Sequence, residues 1–240
     1  WNKIWPFYMK KNQQTKKGGI VRSKKDFTVG NVALSMDAFW MWVKIVVACI
    51  PAVVYGLLFD DAVSEAFKKE IGTSGVTIQV IVVAVMLVLV GVLFIVIENW
   101  NKNRVPTTTT LSQLTYRDAL IIGFCQLVAA ALPGTSRSGA TILGAIMIGI
   151  SRTVAAEFTF FLAIPVMLGA SLLKVIRFGF AFSMAEAVIL LVGMAIAFIV
   201  SVLVIRFLMG YIKKHDFKVF GWYRIVLGIL VLLYFFVIKQ

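Results

Sequence analysis

Leu132-Pro-Gly-Thr-Ser-Arg-Ser-Gly-Ala-Thr141 interrupts an apolar run, residues 118–150, near its middle. The halves on either side, 118–132 and 139–150, are each shorter than the ~20 residues a helix needs to cross a bilayer core. A proline, two glycines and an arginine at membrane depth would leave backbone groups and a charge facing lipid. Such a segment is tolerable only inside protein or beside a water-filled cavity. The stretch therefore predicts a re-entrant helix-loop-helix hairpin, which enters the membrane, turns, and leaves on the side it came from.

Outward from this hairpin, apolar runs at 38–59, 75–97, 154–176, 187–208 and 221–238 each approach the length of a membrane span. Composition agrees, since 60% of the 240 residues are hydrophobic and 15% charged, more apolar surface than a soluble core can absorb. An ordinary soluble enzyme is excluded, and the expected class is an all-α integral membrane protein. The two cysteines, Cys49 and Cys125, both sit in apolar runs, so neither a disulfide framework nor a CxxC metal signature is present. The net charge of +13 concentrates in a polar stretch holding Lys10, Lys11, Lys16, Lys17, Arg22, Lys24 and Lys25. Nucleic-acid binders spread basic residues over a folded face. The excess here is a membrane-side bias, and no nucleic-acid partner is expected.

The positive-inside rule tests the hairpin, because a segment that returns to its own side changes the sidedness of everything after it. With 1–37 in the cytoplasm, the acidic loop 60–74 (Asp60, Asp61, Glu65, Glu70) lies outside. The loop 98–117, with Lys102, Arg104 and Arg117, lies inside, as do both ends of the hairpin and Arg152. Residues 177–186 then fall outside and the loop 209–220, with Lys213, Lys214 and Lys218, inside. Only Lys68, Lys69, Lys174, Arg177 and Lys239 remain on the outer side. A full crossing at 118–150 would move the Lys213 cluster outside, so the hairpin fits the charge pattern better.

Trp1 begins a polar, basic segment and not the short apolar run of a secretory signal. Trp1, Trp5, Phe7 and Tyr8 resemble an interfacial aromatic belt, and the chain does not start with Met. The expectation is that an N-terminal part of the natural protein is absent from this sequence.

The chemistry belongs to the break. Pro133 and Gly134 make a sharp turn, Thr135, Ser136, Ser138 and Thr141 supply hydroxyls, Arg137 a planar cation, and a new helix starts there. Free N–H groups and the positive end of a helix dipole make a helix start an anion site. A guanidinium adds a two-pronged grip on phosphate oxygens. The plainer alternative is that Gly and Ser let helices pack closely while Arg137 snorkels, although Arg137 lies near the hairpin tip, far from either membrane surface.

These residues resemble a known family, the undecaprenyl-diphosphate phosphatases or bacitracin-resistance proteins, whose second signature is Pro-Gly-x-Ser-Arg-Ser-x-x-Thr. PGTSRSGAT, residues 133–141, fills every fixed position. Further similarity runs through Leu120-Ile-Ile-Gly-Phe-Cys-Gln126, Gly149-Ile-Ser-Arg-Thr-Val-Ala-Ala-Glu-Phe158, Pro165, Pro51-Ala-Val-Val-Tyr-Gly56 and Tyr223-Arg224. The resemblance implies a multi-pass enzyme of the bacterial plasma (inner) membrane. It would remove the terminal phosphate of a C55 polyprenyl diphosphate and recycle the lipid carrier for cell-wall synthesis, with a homodimer as the family's assembly.

It also implies an inverted-repeat architecture, each repeat a re-entrant hairpin plus three spans. On that plan 1–37 is a basic cytoplasmic segment, 38–97 the last two spans of an incomplete first repeat, 98–117 a cytoplasmic loop and 118–240 the second repeat. The family's first signature, a Glu-rich hairpin ending in Leu-Pro-x-Ser-Ser-Thr-Gly-His, has no match here. Aligning Leu132-Pro133 with its Leu-Pro sets Gln126 and Ala130 at the positions of its two glutamates.

By that alignment Arg137, Ser136 and Ser138 carry the catalytic side, and Gly134, Thr135, Gly139, Thr141 and Gln126 bind substrate. Gln126 is equally a packing hydrogen bond. Ser136 or Ser138 as nucleophile finds no base within this chain. The family's missing hairpin would bring a histidine, a serine and the glutamates that hold a divalent cation, Mg or Ca. The chain alone is accordingly expected to lack phosphatase activity. His215, the only histidine, reads as a solvated-loop residue beside Lys213, Lys214 and Asp216. Glu157 reads as a partner of Arg152, and Tyr116, Arg117 and Asp118 as the cap that starts the hairpin. A lipid-carrier translocase is the rival class, because half-helices aimed at an anionic head group also suit alternating access.

Overall fold

Long apolar runs become long helices wherever backbone hydrogen bonds must be satisfied within the segment. A computed structural model of the chain describes residues 7–9, 27–29, 32–34, 36–58, 73–178, 183–212 and 215–238. The basic residues from Lys10 to Lys25, the acidic residues from Asp60 to Glu70, Lys213, Lys214, Trp1 and Trp5 lie outside them.

Among the described residues seven α-helices follow in order: α1 Met36–Leu58, α2 Thr73–Asn101, α3 Tyr116–Ala131, α4 Arg137–Met147, α5 Arg152–Phe178, α6 Met184–Ile212 and α7 Lys218–Ile238. Among the described residues α1, α2, α5, α6 and α7 are long and apolar enough to cross a membrane. The protein is a multi-pass, helical membrane protein. The N-terminal segment adds three short strands that the sequence pattern does not announce. β1 (Phe7–Met9), β2 (Phe27–Val29) and β3 (Val32–Leu34) form an antiparallel sheet in the order β1-β3-β2. In its register Phe7 and Phe27 both stand opposite Leu34.

α3 and α4 are the two arms of the interrupted run, with 16 and 11 residues. At ~1.5 Å per residue they reach about 24 and 17 Å, short of a hydrocarbon core of ~30 Å. Their outer ends are tied together. Thr107 and Thr108 both donate backbone N–H to the Gly149 carbonyl (2.9 and 3.3 Å), and Ser151 N–H donates to the Thr108 carbonyl at 2.9 Å. The approach to α3 and the exit from α4 therefore lie at one level, as a returning hairpin requires. Thr115 caps α3: its hydroxyl accepts from Asp118 N–H at 3.2 Å while the Asp118 carboxylate accepts from Thr115 N–H at 2.9 Å. This reciprocal pair satisfies donors that a helix start leaves open.

The hairpin packs into the interior. Ile45 and Ala48 of α1, Ala119 and Ile122 of α3, Ala145 and Ile146 of α4, and Phe158 and Leu162 of α5 form one buried cluster. On its other side the hairpin meets α2, which pairs antiparallel with α7 at a close glycine contact. A Cβ on Gly91 or on Gly221 would come within 2.7 Å of the other's carbonyl oxygen. α6 is different, since none of its most apolar stretch is buried. Phe198 (64% exposed) and Leu203 (62%) would be costly in water, but suit a helix whose sides meet lipid.

Candidate active site

Two backbone features shape the hairpin tip. Gly134 has φ of 88°, and a Cβ there would lie 2.7 Å from the Val83 carbonyl oxygen of α2, so both conformation and space call for glycine. Ser136 has φ of 60° and is the only non-glycine residue with positive φ among the described residues. Such a conformation costs about 1–3 kcal/mol and survives where the surroundings over-determine it, commonly at ligand sites. What holds it here is its role as N-cap of α4, its Oγ accepting from Gly139 N–H at 3.3 Å.

With Gly139 N–H satisfied by the cap, the N–H groups of Ser136, Arg137 and Ser138 have no acceptor within the helix. They add to the positive end of the α4 dipole. Arg137 is half-buried at this start, and its guanidinium has no hydrogen-bond or ion-pair partner among the described residues. Ser138 is exposed, with its Oγ 3.4 Å from Ser136 Oγ. The tip thus presents backbone donors, two hydroxyls and a free planar cation at one point, an arrangement that receives an anion with several oxygens.

The remaining predicted residues stand behind this surface. Thr141, 1% exposed, donates to the carbonyls of Arg137 (3.0 Å) and Ser138 (3.1 Å) and accepts from Thr159 Oγ1 of α5 at 3.1 Å. Its hydroxyl secures the first turn of α4 from inside. Thr135 is 5% and Gln126 2% exposed; Thr135 Oγ1 and Gln126 Nε2 are buried with no hydrogen-bond partner. Gly139 lies buried between Phe94 of α2, Arg224 of α7 and Ser136, so close that a Cβ there would come within 3.3 Å of the Phe94 ring.

Two contributors are not apparent from the motif. Arg224 Nη1 donates to the Thr135 carbonyl at 3.2 Å, so α7 reaches into the loop. The signal for it in the sequence is a lone arginine inside an apolar span, which marks a functional position more often than an accident. Glu98, expected near a membrane surface, is 2% exposed and forms an ion pair with Arg152. Arg152 is thus held by a carboxylate from α2, that of Glu98, a partner to which the sequence does not point.

His215 is exposed, stacks on Tyr211 with ring centroids 4.3 Å apart, and places Nδ1 3.3 Å from the Tyr211 carbonyl oxygen, as a residue of the α6–α7 connection. Residues 132–141 include no carboxylate. No group of three or more His, Cys, Asp or Glu placed to hold a metal exists among the described residues. The described residues thus do not form, around this loop, the donor set that a divalent cation needs.

Residues 2–230 match the family described as bacitracin resistance protein BacA. The chain is 59% identical over 204 residues to an undecaprenyl-diphosphatase of Desulfitobacterium hafniense, covering 85% of this chain and 70% of the relative. It is 53% identical over 233 residues to one from Enterococcus faecalis (97% and 74%). To one from Acetivibrio thermocellus it is 49% identical over 239 residues (100% and 77%). A helical membrane architecture, the family match and identity over nearly the whole length lead to one assignment: the chain belongs to the bacitracin resistance protein BacA family.

Proposed function

We propose that this chain forms the phosphate-gripping part of a membrane enzyme that hydrolyses undecaprenyl diphosphate to the monophosphate and phosphate, returning the lipid carrier to cell-wall synthesis. The observation that carries the proposal is the unpartnered Arg137 guanidinium at the start of α4, beside open N–H groups. A diphosphate brings negative oxygens to these donors, and in phosphoryl transfer charge spreads over the equatorial oxygens of the moving group. Donors already fixed in place stabilise that charge without reorganising. The identity of the relatives supports the same activity. The setting proposed is the bacterial plasma membrane, with association into a homodimer.

Within this chain the roles divide by position. Arg137 and the N–H groups of residues 136–138 bind and polarise phosphate oxygens. Ser136 is held by its cap and Ser138 is open to the approaching headgroup, so these two hydroxyls are the catalytic candidates. Gly134 and Thr135 set the turn, Gly139 lets Phe94 and Arg224 pack close to the helix start, Thr141 braces it, and Gln126 offers an amide donor from α3. No base stands beside either serine in residues 132–141. A divalent cation, Mg or Ca, belongs to the proposal only with carboxylate ligands other than the described ones, since those do not form its site.

The test is phosphate release from undecaprenyl diphosphate by purified protein containing this chain. Release that Arg137→Lys abolishes supports the proposal. Movement of the carrier between leaflets with no phosphate released would replace it with a translocase.

A further inference from the structure

We propose that Thr159 of α5 is a positioning residue of this site: its hydroxyl fastens Thr141 to the first turn of α4 and so aims the Arg137 guanidinium and the free N–H groups at a phosphate. The proposal rests on the phosphate-gripping role given above. A threonine inside an apolar helix ordinarily spends its proton on a carbonyl of the preceding turn of its own helix. Thr159 does not. Its hydroxyl is 3.1 Å from Thr141 Oγ1 of α4 and has no other hydrogen bond among the described residues.

The direction of that bond follows from the one proton and two lone pairs of a hydroxyl. Thr141 shares its single proton between the carbonyls of Arg137 (3.0 Å) and Ser138 (3.1 Å). Towards Thr159 it can only accept. Thr159 therefore sets the rotation of the Thr141 hydroxyl, and Thr141 in turn holds the two residues that meet the ligand. Both threonines are buried, at 6% and 1% exposure, where a lost bond is not replaced by water.

The first turn of α4 needs such support. Ser136 just before it has φ of 60°, a conformation that persists only where its surroundings enforce it. On the open side the turn is held by Ser136 Oγ on Gly139 N–H, and on the inner side by the Thr141–Thr159 pair. Phe158 and Leu162, before and after Thr159 in α5, belong to the buried cluster, so the anchor is itself fixed. Donors stabilise a developing charge to the extent that they are aimed beforehand, and small displacements of a positioned group are costly.

The test uses purified protein containing this chain, in detergent, with two probes: undecaprenyl diphosphate for turnover and inorganic pyrophosphate for isothermal binding to the folded protein. Thr159→Val keeps the shape and removes the hydroxyl. It should lower kcat/KM and pyrophosphate affinity about 5- to 10-fold, the scale of one buried hydrogen bond, whereas Thr159→Ser should stay near wild type. Where Thr159→Val folds poorly, Thr159→Ser against Thr159→Ala isolates the same hydroxyl and should show the same factor. Thr141→Val should lose at least as much, and adding Thr159→Val to it should cost nothing further, as expected of residues that act through one another.

Wild-type affinity and kcat/KM in Thr159→Val, whatever its melting temperature, would overturn the proposal and leave Thr159 as a packing residue. So would equal losses in Thr159→Ser and Thr159→Ala, or losses that add in full with Thr141→Val. A wild type that binds pyrophosphate with this dependence yet releases no phosphate from the lipid would sink the phosphatase and leave the positioning role standing. A wild type that does neither would overturn both.

Discussion

One arginine stands at the start of α4 and another at the start of α5, and their surroundings are opposite. Arg152, at the start of α5, meets the buried carboxylate of Glu98 in an ion pair. Arg137, at the start of α4, sits half-buried beside open N–H groups with no anion among the described residues to meet. A guanidinium matched by a carboxylate holds helices together, here the end of α2 and the start of α5. An unmatched one at a helix start keeps its charge for a ligand. On the proposed function the base of the hairpin is structural and its tip chemical, and variants at the two places separate these roles.

Arg137→Lys has the largest expected effect. Replacing a planar, two-pronged donor by a point charge should lower kcat/KM by about 10²- to 10³-fold, the scale of losing one preorganised donor to a developing oxyanion. The melting temperature should hold. A variant that instead unfolds more easily and turns over normally would erase the contrast with Arg152. Glu98→Gln should do the reverse. Breaking a buried pair by removing one partner costs about 3–5 kcal/mol, and the 39% exposure of the Arg152 side chain places this pair at the low end. Thermal unfolding in detergent should show that loss, while activity per folded molecule stays near wild type.

Thr115→Ala removes the cap of α3 and should cost about 1 kcal/mol of stability, again without a specific loss of turnover. The smallest effect belongs to His215→Ala. An exposed ring stacked on Tyr211 should matter by no more than ~0.5 kcal/mol, and phosphate release should be nearly unchanged. A large fall in turnover there would relocate chemistry to the α6–α7 connection.

Much of this could be read before any coordinates. Apolar length alone located α1, α2, α5, α6 and α7 to within a few residues, because a membrane span is set by bilayer thickness and little else. The Pro-Gly break with Arg137 located the hairpin for the converse reason, that lipid forbids such a segment from crossing. The partners across helices were not legible. Glu98 meets Arg152, and Arg224 meets Thr135, through the rotation and depth of helices far apart in sequence, and those follow from packing such as the Gly91–Gly221 contact. Thr141 was an intermediate case. Its place four residues after Arg137 permits a hydroxyl to bond back to the preceding turn, yet only the contact with Thr159 shows that it faces α5.

The re-entrant hairpin underlies everything said of the tip, and sidedness tests it most directly. Single cysteines at Ser112, Met184 and His215, in a protein with Cys49 and Cys125 replaced, can be labelled in intact cells by a reagent that does not cross the membrane. The hairpin followed by two spans, α5 and α6, predicts that positions 112 and 215 are both shielded from outside and that 184 is reached. External labelling at 215 with 112 protected would mean that residues 118–150 cross the membrane, and would contradict the account.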